Sequence, residues 1–306
     1  MSKIYEALQR ADLERKGALG SVNEQFAEAM DAPEIEEAPP AGPAVVFDNI
    51  RQFRWKPSIN SFPTLAERGA GVEQFRSLRS RVYQARYEAP VKTILVSSGM
   101  PAEGKSFVTS NLAMSLTRNS VNNILLIDAD LRRPTLHNLL GAPNAPGLAE
   151  YLAGTADLNA IMQRDLNTEA NVATGRRSIT NLTFIPSGKC DDNSSELVAN
   201  HRIEELIATL APCFDWILID SPPVLAVTDA LELARAADAV LLVARGAKTP
   251  YNVAQRTQAA FASSRILGFV LNDVKGAPRR GSYYYYYGGQ DDKDHEKRQK
   301  DHGKQG

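Results

Sequence analysis

The chain has 306 residues, 43% of them hydrophobic, and a formal net charge of −1, which fits one large α/β domain with appendages and predicts no nucleic-acid partner. Two cysteines without metal-ligand spacing, Cys190 and Cys213, argue against a disulfide framework or a zinc site. The charged start and the lack of any run of about eighteen apolar residues predict a cytoplasmic chain without direct membrane insertion, so that any association with a membrane must come through a partner.

The chain divides into four predicted regions. Residues 1–17 are interpreted as an N-terminal helix, because Ile4, Leu8 and Leu13 fall roughly on one face; packing on its own domain and docking to a partner both stay open. Residues 18–63 are predicted to be an acidic, Pro/Ala-rich linker, since residues 17–50 contain no lysine or arginine. A globular domain is expected over 64–276, followed by a disordered tyrosine-rich tail over 277–306.

Within the globular region, short apolar runs alternate with helical patterns. Strands are predicted at Thr93–Ser98, Asn123–Asp128, Leu182–Pro186, Trp216–Asp220, Ala239–Ala244 and Ile266–Asn272. Helices are predicted at Val72–Tyr87, Ser106–Thr117, His201–Leu210 and Ala230–Ala236. This alternation indicates a mostly parallel sheet covered by helices on both faces, a three-layer α/β sandwich, in which ligands bind at the carboxyl ends of the strands.

A phosphate-binding loop follows the first of these strands. The segment GMPAEGKS matches G-x-x-x-x-G-K-[ST] and leads into a helix, the context in which backbone N–H groups and the helix N-terminus hold phosphate. The pattern predicts a P-loop NTPase fold with Lys105 on the β- and γ-phosphates and Ser106 on Mg²⁺. The predicted nucleotide-binding residues are Gly99, Met100, Pro101, Ala102, Glu103, Gly104, Lys105, Ser106, Phe107 and Asn272. Asn272 ends a strand and either reads adenine through its amide or forms a turn.

Carboxylates end two further strands. Asp128 and Asp130 lie two apart in LLIDADLRRP, and Asp220 is the only acid in the apolar run WILID. Such residues either cap the next helix or, beside a phosphate loop, hold magnesium and accept a proton. Ser106, Asp130 and Asp220 are the predicted metal ligands, mostly through water.

Five consecutive tyrosines, Tyr283, Tyr284, Tyr285, Tyr286 and Tyr287, stand near the C-terminus. A packed core has little use for such a run, since alternate residues of a strand point to opposite faces. The run is interpreted either as a set of phosphate acceptors or as a low-complexity end without a regulatory role.

Taken together, these motifs resemble those of the bacterial tyrosine kinases, the CpsD/CapB-type autokinases of capsule and exopolysaccharide synthesis. GMPAEGKS, LLIDADLRRP and ILIDSPP are similar to the Walker A, Walker A′ and Walker B motifs of that family, and MSKIYEALQRA resembles stand-alone members of exosortase-type loci. The resemblance implies ATP and Mg²⁺ as cofactors, autophosphorylation of the tyrosine cluster, and catalytic roles for Lys105, Asp128, Asp130 and Asp220, with Asp128 as the base.

The resemblance also implies assembly and regulation. Glu73, Arg76 and Arg79 match the family's E-x-x-R-x-x-R oligomerisation element, which implies a homo-oligomeric ring and a membrane-bound co-polymerase as activator. Ala102 departs from the family pattern, because it stands where glycine is common. Two other functions stay open: a switch ATPase of the partitioning or septum-placement type, disfavoured by Met100 in place of that type's second lysine, and an ATP-binding scaffold with little kinase activity.

Overall fold

The computed structural model describes residues 47–57, 60–66, 68–166, 179–190 and 194–274. The predicted N-terminal helix, most of the predicted linker and the tail with its tyrosine cluster lie outside the described residues. No helix in the described ranges combines the length and the apolar character that a bilayer crossing requires.

The described region alternates strands and helices. Its strands are β1 Arg51–Phe53, β2 Thr93–Ser98, β3 Ile124–Asp128, β4 Gln163–Asp165, β5 Leu182–Ile185, β6 Trp216–Asp220, β7 Ala239–Arg245 and β8 Ile266–Asn272. Its helices are α1 Ala70–Glu88, α2 Lys105–Leu116, α3 Leu136–Leu140, α4 Leu148–Leu152, α5 Leu158–Ile161, α6 Ser194–Val198, α7 Arg202–Leu210, α8 Asp229–Arg235 and α9 Tyr251–Ala260. Short 3₁₀ turns lie at Phe47–Asn49, Pro63–Leu65 and Ala211–Cys213. All six predicted strands are present.

The strands form one sheet in the order β1-β4-β5-β3-β6-β2-β7-β8. Neighbouring strands run parallel except β4 and β5, which are antiparallel. The predicted mostly parallel α/β fold is therefore confirmed. Strand β2 lies between β6 and β7, so the loop that follows β2 has the ends of β3 and β6 on one side and those of β7 and β8 on the other.

Side chains of the central strands alternate between two cores. Leu95, Ile127 and Ile219 face a layer that contains buried residues of α4, α7 and α8. The intervening Leu126 and Leu218 face the other layer, which includes buried residues of α1 and α2. The apolar runs are buried on both sides because both faces of the sheet are covered by helices, the arrangement expected for parallel strands.

The fold begins earlier than the predicted start near residue 64. Strand β1 pairs with β4, and Trp55 is fully buried, with its backbone N–H donating to Asp165 (3.1 Å) and its indole N–H to Gln163 (3.3 Å). Phe62 is fully buried as well. Part of the predicted linker therefore belongs to the sheet edge and the core. A three-residue strand with exposed side chains carries no periodicity that sequence reasoning could detect.

Candidate active site

The phosphate-binding loop connects β2 to α2 in a shape that its glycines permit. Gly104 has φ +93°, and a Cβ at this position would lie 2.0 Å from the side-chain nitrogen of Asn272. A Cβ at Gly99 would lie 2.2 Å from the hydroxyl of Thr257. Ala102 adopts φ +62°, a left-handed conformation that favours glycine. The loop therefore combines tight packing against its outer neighbours with one strained non-glycine residue.

Lys105, the first residue of α2, contacts an aspartate of the neighbouring strand end. Its ammonium group donates to Asp130 at 2.8 Å, and both side chains are largely buried. Burial lowers the pKa of Lys105, but the attraction of Asp220 and Asp130 outweighs burial and raises that pKa above its usual value. Lys105 is therefore positively charged throughout the physiological pH range.

Asp128 and Asp220 lie side by side, because β3 and β6 are adjacent and pair these two residues in register. Both are fully buried. One oxygen of Asp128 accepts hydrogen bonds from the backbone N–H groups of Thr135 (3.2 Å) and Leu136 (3.0 Å) at the start of α3. One oxygen of Asp220 accepts from the hydroxyl of Thr109 at 3.2 Å. The helix-capping interpretation thus holds for one oxygen of Asp128.

The second oxygen of each aspartate is buried and has no hydrogen-bond partner among the described residues. Burial raises the pKa of Asp128 well above its usual range, and the charge of Asp220 adds to this rise. Burial likewise raises the pKa of Asp220 to about 6, against the opposing attraction of Lys105. Two buried, unpartnered carboxylate oxygens at one edge of the sheet form an environment that favours a cation or a proton.

Magnesium fits this donor set through a few oxygens and water. Ser106 is buried beside the aspartates, and its hydroxyl interacts with the carboxyl group of Asp220. Within the described ranges, no three His, Cys, Asp or Glu side chains converge into a group that could hold a metal by themselves. A serine hydroxyl and carboxylate oxygens are ligands that suit Mg²⁺, an ion that keeps several waters and takes other ligands from phosphate.

A cleft of about 560 Å³ opens next to the phosphate loop and Asp130. Its lining combines loop residues and Asp130 with two arginines and an apolar wall that includes Pro222, Pro223 and Val227. Arg132 lies on this lining, and its guanidinium group binds Asp229 (3.0 Å) and the hydroxyl of Ser195 (2.6 Å).

Three predicted nucleotide-binding residues have roles that the motif does not specify. The side chain of Glu103 turns back to accept from the N–H of Met100 at 2.8 Å. Asn272 donates one of its two amide hydrogens to the carbonyl oxygen of Glu103 at 3.0 Å, which leaves its side-chain oxygen and its second amide hydrogen for a base. Phe107 packs edge-on against Phe75, with ring centroids 5.9 Å apart.

Sequence reasoning missed Thr109, Thr135 and Thr249 as neighbours of the site. The hydroxyl of Thr109 donates a hydrogen bond to Asp220, and the backbone N–H of Thr135 donates one to Asp128. The hydroxyl of Thr249 donates one to Glu103. Thr109 carried a weak signal, because it lies four residues after Lys105 and therefore on the same face of α2. The other two lie on loops and carried no signal.

Comparisons with known proteins find tyrosine kinases among the relatives of this chain. Tyrosine-protein kinase YwqD of Bacillus subtilis is 32% identical over 205 residues, which cover 66% of this chain and 81% of that protein. The chain belongs to the bacterial tyrosine kinase family. The kinase domain of the Escherichia coli tyrosine kinase ETK matches with a TM-score of 0.57 and 34% identity, over 67% of this chain and 77% of that one.

Other bacterial tyrosine kinases are much longer. Tyrosine-protein kinase ptk of Acinetobacter johnsonii is 34% identical over 70% of this chain, but the match spans 28% of that relative. No protein-family model matches the sequence. The similarity to YwqD and to the ETK kinase domain confirms the family that the three Walker-type motifs predicted.

The three residues predicted to form an oligomerisation element all lie on α1, but their environments differ. Glu73 and Arg76 form an exposed ion pair at 3.3 Å. Arg79 instead donates to the carbonyl oxygen of Ser115 in the last turn of α2, at 2.6 Å. The guanidinium group of Arg79 therefore connects α1 to α2 within the chain.

Proposed function

We propose that this chain is an ATP- and Mg²⁺-dependent protein-tyrosine autokinase that phosphorylates its C-terminal cluster, Tyr283–Tyr287. The observation that carries the proposal is the pair of unpartnered, buried carboxylate oxygens of Asp128 and Asp220 beside the phosphate loop. Membership of the bacterial tyrosine kinase family supports the reaction type.

Nucleotide and metal would be held by the strand-end loops of β2, β3 and β6. The backbone N–H groups of the loop and the N-terminus of α2 would bind the phosphates. Ser106, Asp130 and Asp220 would hold Mg²⁺, in part through water, and Mg²⁺ supplies neutralisation of the phosphate charge. Asn272 would contact adenine through its free side-chain oxygen.

Lys105 would change partners when nucleotide binds. Its ammonium group lies 2.8 Å from Asp130, so nucleotide phosphates would replace one carboxylate by a stronger anionic ligand. Asp130 would then be released toward the metal. The raised pKa of Lys105 keeps this side chain charged for both interactions.

Asp128 would accept the proton of the incoming tyrosine. The phenol oxygen bonds to the γ-phosphorus, the bond between that phosphorus and the leaving ADP oxygen breaks, and the phenol proton passes to the free oxygen of Asp128. Burial raises the pKa of Asp128, which makes its carboxylate a stronger proton acceptor than an exposed aspartate. The other oxygen is held by the backbone at the start of α3, which orients the carboxyl group.

We further propose that a neighbouring subunit supplies the tail, through a ring that uses Glu73, Arg76 and Arg79. A membrane-bound co-polymerase would act as activator and recruit the chain to the membrane, in the regulation of exopolysaccharide or capsule synthesis and export. The support for these proposals is the family resemblance of the E-x-x-R-x-x-R element and of the tyrosine cluster. Phosphate on the tail would add like charge and loosen the ring.

The switch-ATPase alternative is not favoured. It needs a second lysine early in the phosphate loop, and the chain has Met100 there, partly exposed and uncharged. The curated relatives quoted above are tyrosine-protein kinases.

Incubation of the full chain with Mg-ATP, followed by mass spectrometry of the tail, tests the proposal. Phosphate is expected on residues of the 283–287 cluster. In Lys105→Met, tail phosphorylation should fall by at least about 100-fold, because the variant lacks the positive charge that stabilises the transferred phosphoryl group. Lys56→Met, at an exposed lysine that follows β1, is the matched control and should retain it. Release of ADP with an unmodified tail would instead identify an ATPase.

A further inference from the structure

Glu103 places a negative charge inside a loop that is built to bind anions. Its side chain is nevertheless buried, with 4% of the residue exposed. One carboxylate oxygen accepts from the N–H of Met100 at 2.8 Å, and the other accepts a hydrogen bond from the hydroxyl of Thr249. Because both oxygens have donors, the charge is compensated within the protein.

Thr249 connects Glu103 to the end of β7. Its hydroxyl oxygen accepts from the backbone N–H of Arg245 at 2.8 Å while the hydroxyl proton is donated to Glu103. The same hydroxyl group thus satisfies one buried acceptor and one backbone donor. Its removal would leave both without this partner, and an unmade buried hydrogen bond costs more than a made one gains.

Arg245 reaches the loop directly. Its guanidinium group donates to the carbonyl oxygen of Ala102 at 3.4 Å and forms an ion pair with Asp273, at 2.9 and 2.8 Å. Ala102 is the loop residue with φ +62°, a conformation that costs free energy for a residue with a side chain. A contact on its carbonyl oxygen helps to hold that conformation.

We propose that Thr249, Arg245 and Asp273 form a loop clamp, a set of positioning residues that hold the phosphate loop in its anion-binding shape before nucleotide arrives. The clamp acts through Glu103 and Ala102 from the β7–β8 side and contacts no reacting atom. This inference rests on the proposed nucleotide site. A loop that is already shaped loses less conformational entropy on binding, so the clamp raises nucleotide affinity.

The first test uses nucleotide-free protein and so does not depend on the proposed kinase activity. In Thr249→Val, Glu103 loses its hydrogen bond from the hydroxyl of residue 249 and is held less firmly against the Met100 amide. The Met100 amide should therefore exchange its hydrogen at least about tenfold faster than in the unaltered chain. Thr249→Ser keeps the hydroxyl and should restore slow exchange. Thr209→Val is the matched control, because it removes a hydroxyl that bonds within α7, at the carbonyl oxygen of Glu205, and should leave the Met100 amide unchanged.

The second test measures MgADP affinity and the kinetics with ATP. Thr249→Val should weaken MgADP binding about tenfold and raise the KM for ATP with little change in kcat, since positioning of the loop affects bound substrate and transition state alike. Asp273→Asn, at a partly exposed position, should give a smaller effect, about threefold, and decides the question if Thr249→Val does not fold.

Unchanged Met100 exchange in folded Thr249→Val and Asp273→Asn would overturn the clamp, even if tail phosphorylation proceeds. Faster exchange with unchanged MgADP affinity would overturn it as a positioning device. Altered exchange in a chain that never phosphorylates its tail would support the clamp and contradict the kinase proposal, so the two can fail separately.

Discussion

One buried carboxylate lies within the phosphate loop and two lie beside it, and the two groups differ in whether their oxygens have partners. On the β7–β8 side, both oxygens of Glu103 accept hydrogen bonds. On the β3–β6 side, Asp128 and Asp220 each have one buried oxygen without a partner among the described residues. A satisfied buried acid stabilises a shape, whereas an unsatisfied one is a site where a proton or a cation gains free energy. The contrast separates structural acids from reactive ones.

The largest effect is expected from the loss of a carboxylate that the chemistry needs. Asp128→Asn should lower kcat for autophosphorylation by about 10²- to 10⁴-fold, because the amide cannot accept the phenol proton. ATP affinity should change much less, since Asp128 does not bind the phosphates in this proposal. Quantification of phosphotyrosine over time, with MgADP titration in parallel, measures both.

The matched control is Asp157→Asn, because Asp157 caps the exposed start of α5 and asparagine is an equally good cap. That variant should keep its phosphorylation rate. An unchanged rate in Asp128→Asn would assign the base role to another group and would remove the mechanistic half of the comparison.

The next effect concerns stability and pH at Asp220. Its pKa is raised to about 6 in the folded protein from about 4 when unfolded, so the protonated form is favoured on folding. The resulting stability is fully present below about pH 4 and is lost as pH rises through about 6. Without Mg²⁺, the loss should be about 3 kcal/mol at pH 8. The side chain at position 220 does not titrate in Asp220→Asn. The free energy of unfolding of this variant should therefore fall less between pH 4.5 and pH 8 than that of the unaltered chain.

Urea unfolding at both pH values, with and without Mg²⁺, tests this expectation. The difference between the two proteins matters, because all other groups titrate in both. If the free energy of unfolding shows the same pH dependence in the unaltered chain and in Asp220→Asn, burial does not raise the pKa of Asp220. The contrast between Asp220 and Glu103 then does not hold.

A smaller effect should separate the two arginines of α1. Arg79→Ala should lower the free energy of unfolding by about 1–2 kcal/mol, because the charged hydrogen bond to Ser115 is lost. Arg76→Ala removes an exposed ion pair and should cost less than about 0.5 kcal/mol. Denaturant unfolding measures the stabilities, and sedimentation velocity shows which residue also affects assembly. Equal destabilisation by the two substitutions would contradict this assignment.

The smallest effect is expected at Ala102. Ala102→Gly relieves the strain of the left-handed conformation, which is worth about 1–2 kcal/mol. The greater conformational entropy of glycine in the unfolded chain opposes this gain by about 0.5–1 kcal/mol. A net gain of about 0.5 kcal/mol in the free energy of unfolding should follow, measurable in the same urea series. A loss of stability would show that the clamp already removes the strain at this residue.

Local patterns in the sequence were sufficient for the central fold and for the identity of most candidate site residues. Runs such as residues 216–219 are apolar throughout, so their burial in a parallel sheet follows from composition. The phosphate loop has its own spacing, and Asp128 and Asp220 stand out as charges that end apolar strands. Strands β1 and β4 were missed because three residues are too few to show a period. They form through tertiary pairing, β4 with β5 and β1 with β4.

The amino-acid sequence by itself determined the family, the strand–loop–helix unit that would hold phosphate, and the acids that end β3 and β6. Only the tertiary structure decided which oxygen of each acid has a partner and that Glu103 turns toward Thr249, 146 positions away in the chain. The reason is physical: a motif specifies residue types along the chain, whereas burial and hydrogen-bond partners arise from segments that meet only when the sheet is assembled.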